Sequence, residues 1–319
     1  MGVGLTILLV WLNRRRLDHR RSLDFVFLQV QVPKKDSKDD QDRDRDQISD
    51  PRKVISVGED FFGAVYGLFS RHIETILTGQ DYVSLEFIAS DKEVKFILGC
   101  PRDIQGLMDK QITTYYKDAI VEEVDAPKLF NPGMRQATGY LTALKPKYMP
   151  FKSYQKFENT DPMNNVLNAL NHANDDKGAT AGLQIMIRPK ADKWQQNVRG
   201  KAKEMQGGKK SAQWYNPLSW IGYIFNTMIR GTGDEGQSNS DDDKDSESQD
   251  LIKAMEEKAD KHGFETIIRC ITSAPTVREA RNSLANLLNV FAQYSTASTN
   301  EFHIERWHLK RTLIKHFLY

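Results

Sequence analysis

The chain has 319 residues, which is enough for two domains of ordinary size. Its 45 basic and 43 acidic residues give a formal net charge of +2, so it lacks the overall basic character of a general polyanion-binding protein. The two cysteines, Cys100 and Cys270, lie far apart in strand-like segments. This number and spacing exclude a disulfide framework and a cysteine zinc site, and we expect both thiols to be buried.

The first 21 residues form an apolar stretch of twelve residues followed by a basic cluster. A membrane-spanning helix needs about 20 apolar residues, so the stretch is short. A cleaved signal, a buried strand and a signal-anchor whose beginning is missing are the three interpretations. We favour the anchor because the positive charges follow the apolar run, and this puts the body on the cytoplasmic side of the inner membrane. The predicted lipid contacts here are Leu5, Ile7, Leu8, Leu9, Trp11, Arg14, Arg15 and Arg16.

Residues 22–126 have the pattern of one α+β unit. The hydrophobic periodicity predicts strands at 23–32, 82–89, 93–98 and 120–124 and helices at 57–77 and 103–116. Ser90-Asp91-Lys92 predicts a hairpin between the middle strands. The acidic stretch 34–51 has too few apolar residues to order itself and is predicted to be a flexible loop. The order β-α-β-β-α-β is typical of a ferredoxin-like, or split βαβ, unit.

Residues 138–310 repeat this order around a long insertion. Strands are predicted at 139–145, 181–187, 263–272 and 301–309. One helix begins with Asp161 as N-cap and Pro162 at the first helical position, and another with the capping box Thr276 and Glu279. The predicted fold class is therefore α+β, with two ferredoxin-like units, the second carrying an inserted helical stalk, behind a short anchor.

The insertion, residues 190–261, begins and ends with helices predicted at 191–205 and 249–260. Paired antiparallel, they would form a stalk with an aromatic tip at 212–230 and an acidic flexible loop at 231–248. The tip could dip into the membrane, because Trp and Tyr favour its interface and basic residues favour anionic lipid. It could equally pack under the second unit or against a partner chain. Its predicted lipid contacts are Trp214, Tyr215, Trp220, Tyr223 and Phe225.

No motif indicates catalysis. Residues 207–211 (GGKKS) lack the upstream glycine and the preceding strand of a phosphate-binding loop. His303 and His308 are five residues apart, a spacing that suits a shared metal neither in a strand nor in a helix. We therefore predict a non-enzymatic protein without metal, cofactor or small-molecule substrate. Weak nucleic-acid-binding candidates are Arg306, Lys310, Arg311 and Lys315.

Several segments resemble the N-terminal, membrane-proximal region of bacterial type IV secretion and conjugation ATPases of the TraG/TraD and HerA-like kind. The segments are FVFLQVQVPK, EDFFGAVYGLF, VSLEFIASDKEVKFILGCP, DIQGLMDKQITTYYKDAIVEEVD and HGFETIIRCITSAPTVREARNSLANLLNVFAQYS. The resemblance implies a membrane-anchored module that positions or oligomerises such an ATPase, with membrane lipid and either that ATPase or a second copy as partners. The motor and its nucleotide site are missing, and residues 311–319 look like the truncated start of a further element. The alternative function is a nucleic-acid-binding module that uses the basic C-terminal segment.

Overall fold

The first half of the sheet and its helices follow the predicted order. The computed structural model describes residues 24–32, 51–69, 80–157, 161–174, 178–206, 240–296 and 298–305. The elements of the first half are β1 (Phe25–Gln31), α1 (Pro51–Tyr66), β2 (Val83–Ser90), β3 (Glu93–Pro101), α2 (Gln105–Tyr115) and β4 (Ile120–Val124). The predicted hairpin joins β2 to β3, with both Asp91 and Lys92 at positive φ, as a tight turn of this hand requires.

The second half contains the remaining strands and four helices. Its elements are β5 (Arg135–Ala143), α3 (Pro162–His172), β6 (Thr180–Pro189), α4 (Lys193–Gln206), α5 (Ser240–Ala259), β7 (Phe264–Ala274), α6 (Val277–Asn289) and β8 (Phe302–Glu305). Both predicted N-caps are confirmed. The Asp161 side chain accepts a hydrogen bond from the backbone N–H of Met163, and Thr276 and Glu279 form the full capping box.

All eight strands form one antiparallel sheet, and the described protein is therefore a mixed α/β structure. The strand order is β4-β1-β3-β2-β6-β7-β5-β8, so the two halves meet where β2 pairs with β6. Numbered from its own first strand, each half has the order 4-1-3-2 outward to inward. Helices α4 and α5 take the place in the second half that the Asp91–Lys92 turn takes in the first. The strands of both predicted units belong to one continuous sheet, so the sheet does not mark a boundary between them. The domain limits predicted from the sequence, 22–126 and 138–310, therefore stay a prediction.

The helices cover one face of this sheet. Over the first half, α1 and α2 pack on alternate strand residues such as Leu28, Val83 and Leu98. Over the second half, α3 and α6 pack on the residues of the same face, including Leu183 and Cys270. Both cysteines are buried and unpaired, as predicted.

A loop crosses the opposite face. The connection from β4 to β5 places the buried Leu129 against Ile88 and Ile97 of the first half and Ile271 of the second. The Thr180 hydroxyl holds this connection by donating to the backbone oxygen of Leu129 at 2.7 Å.

The stalk helices pack against each other. Their common core contains Val198, Ala202, Ile252, Met255 and Ala259. Gln195 bonds the backbone oxygen of Lys261 near the base, and Gln206 bonds Glu256 further out, which indicates antiparallel packing.

Two helices begin earlier than their hydrophobic patterns predict. Helix α1 starts at Pro51 and ends at Tyr66, whereas the pattern predicted 57–77. Proline at the first helical position explains the early start. Helix α5 starts at Ser240, inside the predicted acidic loop, because Ser and Asp are favourable at a helix N-terminus. Residues 34–50, the predicted aromatic tip and residues 231–239 lie outside the described residues.

Three apolar side chains on the helices are exposed. Leu107 on α2, Met205 at the end of α4 and Val277 at the start of α6 keep 41, 38 and 43% of their surface. Each lies near a helix end, where the helical stripe no longer contacts the sheet or the neighbouring helix.

In the part of the chain that the structure describes, we find no helix whose length and apolar character would let it cross a membrane. The longest described helix, α5, has 20 residues and carries many charged side chains. This finding corrects the predictions of a transmembrane helix and of a location in the cytoplasmic membrane. The described residues likewise give no support to the predicted link with type IV secretion and conjugation. The predicted anchor itself, residues 1–21, lies outside the described residues.

Candidate functional site

The sheet face opposite the core helices carries the candidate site. Among the described residues, the connection that contains Leu129 and Phe130 packs on this face. Strand register places Ser84, Met186 and Ile267 in one row across β2, β6 and β7, and Glu86, Gln184 and Arg269 in the next. We call Tyr82, Met186, Arg188, Ile267 and Arg269 the open-face patch. All are at least half-buried except Ile267, which keeps 46% of its surface exposed.

A buried polar pair lies at the centre of this surface. Glu86 is only 4% exposed, and its Oε1 accepts hydrogen bonds from the Ser84 hydroxyl and from Nε2 of Gln184, each at 2.8 Å. The β2–β6 pairing runs from Val83 to Ala89 and from Ala181 to Ile187. Glu86 and Gln184 are the middle residues of these segments, so they face each other where the two halves join.

Burial controls the electrostatics of the site. Burial raises the pKa of the Glu86 carboxyl, although the hydrogen bonds from Gln184 and Ser84 and the charge of Arg269 oppose this shift. Burial likewise lowers the pKa of the Arg269 guanidinium, against the attraction of Tyr82 and Glu86. The charged groups of the site are therefore partly withdrawn from water.

Cationic and aromatic groups lie beside this centre. The Arg188 guanidinium lies 5.7 Å from the centroid of the Tyr82 ring, which also stacks on Phe25 at 5.0 Å. This geometry is a cation–π contact, and it holds Arg188 at the edge of the patch.

Two buried acceptors on this face have no hydrogen-bond partner within the described structure. They are Oε1 of Gln184 and Oγ of Ser273. A buried polar atom without a partner costs about 1–3 kcal/mol, so native structures rarely leave one without a ligand or water.

The site residues named from sequence lie elsewhere. The lipid-contact candidates of residues 5–16 and 214–225, and the nucleic-acid candidates Arg306, Lys310, Arg311 and Lys315, are outside the described residues. His303 is exposed on β8, and His308 is not described. No group of three His, Cys, Asp or Glu side chains able to hold a metal occurs in the ranges that the structure covers.

Sequence reasoning missed the polar pair. Glu86 lies between Leu85 and Phe87. This alternation of polar and apolar residues is typical of any strand that has one solvent-exposed face. The pairing of β2 with β6 brings together Glu86 and Gln184, which are 98 positions apart in the sequence. No local sequence pattern predicts this pairing.

Comparison with known proteins places the chain in a family but gives no activity. None of the curated proteins compared with the chain matches it. Residues 52–314 match the family model described as Domain of unknown function (DUF8128), which is more than half of the chain. The chain therefore belongs to the DUF8128 family.

Proposed function

We propose that the chain is a non-enzymatic assembly module that binds a protein partner through the open-face patch. The observation that carries this proposal is the exposed Ile267 at the middle of a sheet face that also presents Met186, Tyr82, Arg188 and Arg269. Aromatic residues, methionine and arginine are enriched in protein interfaces, and tyrosine and arginine in their energetic centres.

The chemistry of the patch favours one kind of partner surface. Ile267 and Met186 offer apolar contact, whereas Arg188 and Arg269 offer positive charge. We therefore propose a protein segment with an apolar anchor and an adjacent carboxylate.

The fold proposed for each half is the ferredoxin-like unit. The strand order 4-1-3-2 and the β-α-β-β-α-β connectivity of each half support it. In this interpretation the chain is a fused pair of such units, and the patch straddles their junction.

Site-specific photo-crosslinking tests the proposed function. p-Benzoylphenylalanine would replace Ile267 in the full chain, expressed in cells of the source organism. Val277 is the matched control, since it is equally apolar and 43% exposed but lies on α6. We expect one discrete protein adduct from position 267 and none from position 277. The adduct should be lost when Arg269→Glu is added.

Other outcomes would contradict the proposal. Equal adducts at both positions, no adduct at 267, or an adduct that survives Arg269→Glu would each show that the patch is not the binding surface. An adduct at 267 with nucleic acid in place of protein would favour the alternative function. The circular dichroism melting curves of the variants would show that they are folded.

A further inference from the structure

The base of the stalk is held by helix α1, which belongs to the other half of the chain. The Tyr66 hydroxyl at the end of α1 donates to Oδ1 of Asp192, the residue directly before α4. The Tyr66 ring also stacks on the ring of His262, which follows α5, with the two ring centroids 4.1 Å apart. One side chain of the first half therefore contacts the chain on both sides of the stalk.

An ion pair gives α1 a second contact with the stalk base. Glu59 lies about two turns before Tyr66 on the same helix, and it accepts a hydrogen bond from Nζ of Lys261 at 2.6 Å. This bond lowers the pKa of the Glu59 carboxyl. Both side chains are partly exposed, and such an ion pair stabilises little by itself. Its value lies in its position, because two separate contacts resist a rotation that one would allow. We call the contacts of Tyr66 and Glu59 with the stalk base the α1 clamp.

The second half of the chain makes a similar contact with a much shorter connection. The Asp91–Lys92 turn joins β2 to β3 in the place where the stalk joins β6 to β7. Asn174 follows α3, and it accepts a hydrogen bond at 2.7 Å from the backbone N–H of Lys92 when its amide is oriented to suit both its neighbours. The first helix of each half thus ends at the hairpin connection of the opposite half. The α1 clamp is the same contact, made to a connection that has grown into a stalk.

The foot of the stalk continues the sheet without a flexible link. Strands β6 and β7 pair as far as Pro189 and Phe264, and the next bond runs from the Lys190 N–H to the Gly263 backbone oxygen at 2.9 Å. Trp194 lies so close to Gly263 that a Cβ atom there would be 2.1 Å from its Nε1. Because α4 and α5 also share a buried core, the two helices can move only as one body.

An attachment within the second half leaves this body one way to turn. Lys258 of α5 donates to the backbone oxygens of Lys147 and Met149, which follow β5. This attachment and the foot together define an axis about which the stalk could still swing. The α1 clamp holds the stalk from the first half and stops that swing.

We propose that the α1 clamp fixes the direction of the stalk relative to the sheet. With the clamp closed the stalk is a rigid arm, and with the clamp open it swings about its foot as one body. The clamp belongs to a helix that covers the core face of the sheet. It is therefore independent of the open-face patch, and either proposal can fail while the other stands.

Distances between two spin labels in the full chain measure the direction of the stalk. The labels are attached at Lys203→Cys on the outer part of α4 and at Asp109→Cys on α2, which are both exposed. The two native cysteines are buried and stay unlabelled. Lys203 lies about 15 Å along α4, so a swing of about 20° moves its label by about 5 Å. Double electron–electron resonance should give one narrow distance distribution for the chain with a closed clamp.

Charge reversal with rescue opens and closes the clamp. Glu59→Lys with Tyr66→Phe sets two cations against each other and removes the hydroxyl bond, so the distribution should broaden by about 5 Å. Adding Lys261→Glu restores opposite charges and should narrow it again. The matched control is Lys190→Glu, which sets two anions together beside Glu265 at the foot of the stalk but does not touch α1. It should keep the narrow distribution.

Three results would overturn the proposal. They are a closed-clamp distribution already as broad as that of the open-clamp variant, an open-clamp variant as narrow as the closed-clamp chain, and equal broadening in the Lys190→Glu control. If the open-clamp variant loses its thermal unfolding transition, Tyr66→Phe alone decides. This change keeps the ring that stacks on His262 and removes only the hydroxyl, and its distribution must still be broader than that of the closed-clamp chain.

Discussion

Glu86 shows how a single residue is balanced between burial and bonding. Two donors, Ser84 and Gln184, share its Oε1 and favour the carboxylate form. Removal from water favours the neutral form, and the raised pKa shows that removal from water is the larger effect. The protein therefore keeps a carboxyl group at the sheet centre at a cost to its stability, which is typical of a functional position.

Glu86→Gln is expected to be more stable than wild type at neutral pH. Because the pKa of Glu86 is raised in the folded state, the protonated side chain adds to the free energy of unfolding. This addition is fully present below about pH 4.5 and is lost as pH rises through the folded pKa. Glutamine keeps the acceptor without the charge, so the advantage of the variant should grow from pH 4 to pH 8. Urea unfolding over this range measures it. Glu93→Gln, at an exposed position, should show no such trend, and a constant difference for Glu86→Gln would contradict the assignment.

Gly99 on β3 should tolerate no side chain. A Cβ atom there would lie 2.4 Å from Oγ of the buried Ser84 and 2.6 Å from the Phe25 ring. Gly99→Ala is expected to lower the free energy of unfolding by about 1–3 kcal/mol through overpacking. Gly106 in α2 has open space at the same position, so Gly106→Ala should raise it by about 0.5–1 kcal/mol. Thermal unfolding of both variants tests this pair, and equal signs would refute it.

At the scale of elements, the features predicted correctly are turns and helix starts that a few neighbouring residues determine. The Asp91–Lys92 hairpin, the Asp161 cap and the Thr276–Glu279 box were all predicted and are confirmed. The starts of α1 and α5 were wrong, because runs of Asp and Ser indicate a flexible loop and a helix N-terminus equally well. Patterns of charge therefore locate the ends of elements less reliably than capping residues do.

The stalk is joined to the body by Lys258 of α5. Its ammonium donates to the backbone oxygens of Lys147 at 2.6 Å and Met149 at 3.0 Å. Burial lowers the pKa of this lysine to about 8. An unfolded lysine has a pKa of about 10.4, so the unfolded chain binds the proton more tightly between these values.

The stability of the protein should consequently rise with pH between about 8 and about 10. Lys258→Met keeps the apolar part of the side chain and removes the titrating group, so its stability should rise less over this range. Guanidinium unfolding at pH 7.5, 8.5 and 9.5 measures the difference. Lys253→Met changes an exposed lysine of the same helix and should keep the wild-type slope. An unchanged slope for Lys258→Met would mean that Lys258 does not titrate in this range.

At the scale of the whole molecule, the two halves are bound into one body in two ways. The β2–β6 pairing makes their sheets continuous, and Leu129 contacts both halves from the opposite face. Sequence patterns predicted the order of elements within each half. They could not predict this junction, since its pairing depends on two distant strands meeting. The candidate site depends on the junction, and for this reason Glu86 and Gln184 could not be predicted from sequence.

The junction predicts that the two halves unfold together. Circular dichroism and intrinsic fluorescence should report coincident urea transitions, as expected for one cooperative unit. Leu129→Ala should lower the free energy of unfolding by about 2–5 kcal/mol, because it removes a buried side chain between the halves. Leu144→Ala, at a side chain 55% exposed, is the control and should change it by less than about 0.5 kcal/mol. Two separate transitions in wild type would show instead that each half is an independent domain, and that Leu129 only covers the sheet. The expected result is a single transition in wild type, which Leu129→Ala moves to lower urea without splitting it. This result would show that the two halves form one cooperative body and share the open face and its patch.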